Sequence, residues 1–211
     1  LQGKREKSVK EGKPMQIVKM AKKGNLTLKI VVDEEPESPR EWDNLGTMVC
    51  WHGRYNLGDK HDFPTPEDFT AYLKTHDAVV LPVIMYDHSG LFFSTTRNYP
   101  FDDHWDAGQV GYIYVTYEKL RKNYNVKRLT TKILDQARNS LIGEIETYTQ
   151  WSCGNVYGFI VEEVFTCDKG FEHTRHVDSC WGFYGSDLEK NGIMDSVSDI
   201  WKNAEFEEIT A

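Results

Sequence analysis

Residues 129–151, LTTKILDQARNSLIGEIETYTQW, constrain this chain more than any other stretch. Ile133, Leu134, Ala137, Leu141, Ile142 and Ile145 recur at spacings of three and four, which is one apolar face of a helix. A helix with such a stripe buries it against a second layer. The rest of the chain offers that layer as strands. AVVLPVIMY is a continuous apolar run, DHSG a turn and LFFSTT a returning strand, so the three read as a β-hairpin. NVYGFIVEEVF, CDKG and HTRHVDSCWGFYG read as another. NLTLKIVV alternates as a half-buried strand does, and TMVCW and VGYIYVT add two more. Pro82 cannot donate to a ladder, so it marks a bulge or an edge.

Two further helices have local signals. In TPEDFTAYLKTH, Thr65 is the cap, Pro66 suits the first turn and Asp68 reaches back to the cap. YEKLRKNYN reads as helical, and MDSVSDIWKNA as a closing helix. No βαβ series and no G-x-G-x-x-G motif opening a helix is present, which disfavours a dinucleotide-binding fold. The expected class is α+β: an antiparallel or mixed sheet of hairpins with helices packed on a face. Residues 1–14 read as a flexible basic tail and 15–211 as a single α+β domain.

Charge divides the chain. Residues 1–29 hold nine Lys/Arg against two Glu, while the remainder holds 16 basic and 31 acidic residues. The first stretch could touch nucleic acid by counterion release. The acidic body favours a protein partner with a basic surface. DEEPESPREWDN is an acidic, proline-broken loop, so Asp33, Glu34, Glu35, Glu37 and Glu41 form the expected contact strip.

Three loops pair histidine with carboxylates. NYPFDDHWDAGQVGYIYV places Asp102, His104 and Asp106 at alternate positions. A calcium loop needs glycine at six and a carboxylate at twelve, where this stretch has Ala107 and Ile113, so an EF-hand is excluded. Two readings stay open: a transition-metal site, or aspartates that bind backbone amides at a turn. GDKHDF adds Asp59, His61 and Asp62, and YDHSG adds Asp87 and His88. If the loops converge, Asp59, His61, His88, Asp102, His104 and Asp106 become candidate ligands for a divalent metal in a hydrolase or nuclease.

His173 and His176 fall on opposite faces of a strand. His176, Asp178 and Cys180 share a face, but a step of two along a strand separates thiol from imidazole by ~6–7 Å. Cys50, Cys153, Cys167 and Cys180 include no C-x-x-C pair, which argues against a zinc knuckle and for reduced thiols. Trp181, Phe183 and Tyr184 have acidic neighbours and read as core or as a protein-contact patch. No apolar run approaches the ~20 residues of a membrane helix, and no secretory signal follows the basic N-terminal residues.

LGTMVCWHGRYNLGDKHDF, YDHSG, WDAGQVGYIYV, VYGFIVEE and DSCWGFYG together resemble a family of accessory proteins from bacteriophages and mobile elements of Gram-positive bacteria. The resemblance spans roughly Leu45 to Gly185. It implies a bacterial cytoplasmic setting and carries no catalytic assignment. Small acidic proteins of that kind often block host defences that target nucleic acid. The expected function is therefore binding and inhibition of a CRISPR effector or restriction enzyme through an acidic surface, with no cofactor. The alternatives are the metal-dependent hydrolase or nuclease, and a nucleic-acid binder acting through the basic N-terminal residues.

Overall fold

A computed structural model describes residues 15–87, 90–96 and 107–209. The class is α+β, with antiparallel sheets. The strands divide between two sheets, and the chain between two compact units. One unit takes in Leu1–Glu37 and Gly154–Ala211, and the other Ser38–Cys153. The second unit is thus inserted, in chain order, into the first.

The discontinuous unit holds a five-stranded sheet. Strand β1 (Ile17–Lys23) pairs with β2 (Leu26–Val32), and β2 pairs with β7 (Val156–Thr166). Strand β8 (Glu172–Tyr184) lies on the far edge, and the two-residue β9 (Glu207–Glu208) closes the other side against β1. One face carries Leu28, Ile30, Phe159, Val161 and Cys180. The C-terminal segment packs Ile193, Met194, Val197 and Trp201 onto that cluster. The expected closing helix is not formed. Helix α4 (Ile193–Ser196) is a single turn, Val197 turns extended, and Asp199–Trp201 is one 3-10 turn. Burial of Trp201, 1% exposed, outweighs helical continuity there.

In the continuous unit, β3 (Thr47–Cys50), β6 (Ala107–Thr116), β4 (Ala78–Asp87) and β5 (Leu91–Ser94) form a four-stranded sheet in that spatial order. Helix α3 (Thr131–Ser152) lays Ala137, Leu141, Ile145 and Tyr148 against Val79, Leu81, Val83 and Ile113. The opposite face is aromatic. Phe69 of helix α1 (Pro66–Leu73) sits 5.3 Å from Tyr112 and 5.0 Å from Tyr114, centroid to centroid. The odd and even residues of β6 thereby serve two different layers, as the period of a strand requires.

Local signals hold where the chemistry is local. Thr65 and Asp68 form the full capping box at the start of α1. Pro82 faces Tyr112 of β6 at a point that β5 is too short to reach, since β5 pairing starts at Ile84, and a bulge follows at Val83/Ile84. Pro82 therefore costs no ladder bond to β5. Helix α2 (Tyr117–Asn123) follows β6 directly, with Thr116 as its cap.

Candidate functional site

The most organised polar site in the described residues surrounds Arg40. It lies in a short 3-10 turn started by Ser38, whose side chain accepts from the Arg40 amide. Its side chain is 5% exposed. Nε and Nη2 donate to the two oxygens of Asp59 at 2.9 and 2.7 Å, and Nη1 donates to Glu144 Oε2 at 2.9 Å. Nη2 also donates to the Gly46 carbonyl. The two carboxylates are held in turn by backbone: Asp59 Oδ2 accepts from Met48 N, and Glu144 Oε1 from Gly46 N. Gly58 makes this possible, because its φ of 71° aims the Asp59 amide at the Met48 carbonyl.

Burial works against the charged guanidinium, and the two carboxylates outweigh it, so the Arg40 pKa is raised. One cation faces two anions at a sheet edge. The surplus negative charge acts on neighbours. Burial first, and then Asp59, push the Cys50 thiol up to about 12. Burial also raises the Tyr148 phenol, whose oxygen accepts from Gly58 N. A thiol held protonated in this way is a poor nucleophile. All three nitrogens of the fork and both carboxylates have fixed partners, so the cluster acts as a clasp joining the 38–46 segment, the 57–59 turn and α3.

Asp59 is therefore committed to Arg40 and Met48 and withdrawn from metal ligation. His61 faces the Cys50 carbonyl through Nε2 at 3.1 Å and stacks edge-on with Trp51. Its Nδ1 is buried without a hydrogen-bond partner. Asp87 takes hydrogen bonds from Tyr55 and Arg54. His88, Asp102, His104 and Asp106 lie outside the described residues. Among the described residues no three His, Cys, Asp or Glu side chains cluster for a metal.

The cysteine candidates separate from their bases. Cys180 is buried in the first unit's core, while His176 is exposed and meets Ser179 Oγ at 3.1 Å. Cys153 caps the end of α3, points Sγ at the Leu91 carbonyl and has its pKa raised by burial. Phe183 packs on the first unit's core, and Tyr184 donates to the Glu37 carbonyl.

The acidic strip is divided. Asp33 is 6% exposed and accepts from the Glu35 amide. Glu34 and Glu35 are exposed and Glu37 half-buried, all in the first unit, while exposed Glu41 belongs to the second. A larger acidic surface lies at residues 187–208, which include the MDSVSDIWKNA stretch expected as a closing helix. That arm carries seven carboxylates and two lysines. All seven carboxylates are on exposed residues. Asp187 pairs with Lys190, Asp199 with Lys202 and Glu208 with Lys19. Glu189, Asp195, Glu205 and Glu207 form no ion pair among the described residues. The arm is also anchored, since Ile193, Met194, Val197 and Trp201 point into the core between its acids.

Glu144 was legible in principle. It lies three residues after Leu141 and seven after Ala137, inside the apolar stripe, and a carboxylate there predicts a buried cation. No helix among the described residues is long and apolar enough to cross a membrane. No family model, no curated protein and no solved structure matches the chain.

Proposed function

We propose that this is a binding protein of a mobile element that inhibits a host defence enzyme acting on nucleic acid, of anti-CRISPR or antirestriction type. The contact is acidic: the 187–208 arm, with exposed Glu34 and Glu35 of the same unit, is offered to the cationic channel of the enzyme. The observation that carries this reading is the anchored arm with four unpaired carboxylates. A fixed array of like charge is preorganised for a cationic surface and loses less conformational entropy on docking than a loose acidic tail. The resemblance to phage and mobile-element accessory proteins supports the same reading. Asp33 drops out of the contact set because it is buried.

The test is a cleavage assay with purified CRISPR effectors and restriction enzymes at stepped salt. Inhibition is expected to fade as salt rises from about 50 to 300 mM, because exposed charge pairs are screened. Glu189→Lys, Asp195→Lys, Glu205→Lys and Glu207→Lys combined should abolish inhibition while the melting curve matches that of the parent. Inhibition by this variant equal to that of the parent would sink the proposal.

A further inference from the structure

Helix α2, the turn after it and the first two turns of α3 carry seven Lys/Arg and two acids within residues 117–138. Lys119, Arg121, Lys122, Lys127, Arg128, Lys132 and Arg138 are all exposed. Lys119 donates to the Asn44 carbonyl. The other six have no ion pair among the described residues. Elsewhere pairing is commoner: among the twelve other described Lys/Arg, Lys19, Lys29, Arg40, Arg54, Arg175, Lys190 and Lys202 each find a carboxylate, and the five that do not, Lys22, Lys23, Lys60, Lys74 and Lys169, are scattered along the chain apart from adjacent Lys22 and Lys23. In a chain with 33 acids against 25 bases, six neighbouring unpaired cations are a local exception. Even Asp135, three residues from both Lys132 and Arg138, bridges neither.

Their placement also costs stability. Arg121 and Lys122 in the last turn of α2 suit its dipole. Lys127, Arg128 and Lys132 surround the start of α3, a 22-residue helix with no acid in its first turn. Cations there oppose the helix dipole. No carboxylate among the described residues pairs with these cations, although the helix start is otherwise well made, with Thr130 accepting from Ile133 N.

We infer that this surface binds the phosphodiester backbone of a nucleic-acid duplex, without reading sequence. The cations are spread over two helices and the turn between them, from Lys119 to Arg138, which suits a line of phosphates better than one phosphate group. From Thr131 to Arg138 the helix alone advances about 10 Å, the span of about three successive phosphates of one strand. Tyr117 and Tyr124 pack against the core, so the surface has no free aromatic platform for stacking unpaired bases. This goes beyond the acidic contact proposed above and uses residues of the other unit, so each can fail alone.

Fluorescence anisotropy of the full chain with labelled 20-base-pair DNA and RNA duplexes of arbitrary sequence tests it. Binding to either duplex at 50 mM salt should weaken about 100-fold by 200 mM, as for about four neutralised phosphates. Lys127→Glu, Arg128→Glu and Lys132→Glu combined should weaken binding at least tenfold and lower the salt slope by about 2.7. Circular dichroism checks that this variant is folded, and singly neutralised Lys127→Gln, Arg128→Gln and Lys132→Gln, each expected to weaken binding, serve if it is not. Absence of binding at 50 mM overturns the proposal, as does unchanged binding by the folded variants, which would move the contact to residues 1–29. Salt-sensitive dimers without nucleic acid, dissolved by the same reversal, would show that a second copy's acidic arm covers the surface, and overturn it too.

Discussion

The acidic stretch 187–208 and the basic stretch 117–138 are equally long and nearly opposite in charge, yet they are held in different ways. The acidic arm has little regular structure and depends on a few deeply buried side chains, above all Trp201. The basic stretch stands on two capped helices whose inner faces, Leu120 and then Ala137, Leu141 and Ile145, belong to a large sheet-backed core. The units repeat the contrast. The first is stabilised mainly by apolar packing on an open sheet. The second adds a buried ionic clasp, in which one arginine joins segments distant in the chain. Charge on a helix surface is thus decoupled from the core beneath it, whereas charge on the arm shares its few residues with the plug.

The strongest way to break this contrast is Trp201→Ala. Removing the plug should cost about 3–5 kcal/mol in urea unfolding of the first unit, and amides of β1, β2 and residues 193–208 should exchange faster while those of α3 keep their protection. Uniform loss across both units would show that the arm is not locally supported.

Arg40→Met should cost about 3 kcal/mol, because Asp59 and Glu144 are left buried without their cation. Hydrogen exchange should localise the loss to the second unit. Glu144→Gln in the Arg40→Met background should recover part of it, and no recovery would mean that packing, not charge, is what Arg40 supplies.

Alkaline pH sharpens the comparison through two groups. The Cys50 thiol is raised to about 12 from an ordinary 9.0, by burial and then Asp59. The Tyr184 phenol is raised to about 12 from 10.0, by burial and then Asp33 and Glu37. In both cases the folded state holds the proton more tightly, so the contribution is whole below the unfolded pKa and lost as pH climbs toward the folded one. The second unit should therefore weaken from about pH 9 and the first only from about pH 10. Cys50→Ala should shrink the earlier onset in pH-stepped melts, the Cys153 thiol of the same unit, also raised by burial, supplying what is left, and an unchanged profile would exclude the Cys50 thiol as a source.

The smallest effect expected is from Thr65→Ala. Losing the capping box at α1 should cost about 1 kcal/mol, visible as a modest drop in the urea midpoint with an unaltered slope. A change in the first unit's exchange pattern would contradict the separation of the two.

What could be read in the chain follows the range of the interactions involved. The cap at Thr65, the stripe on α3 and the turn of the β7–β8 hairpin rest on contacts within a few residues, and the sequence pattern determines them. The pairing of β2 with β7 across the inserted unit does not show in any local pattern, since no periodicity records which strand lies alongside. The 193–201 segment has the composition of a helix, and only the apolar pocket that accepts Trp201 decides against one. Arg40 looked like one cation in an acidic loop, and Asp59 like a ligand, until folding brought them within 2.7 Å. Composition fixed how much charge of each sign the molecule carries. Tertiary structure alone decided which charges neutralise one another and which are left facing solvent, because that depends on distances between residues far apart along the chain.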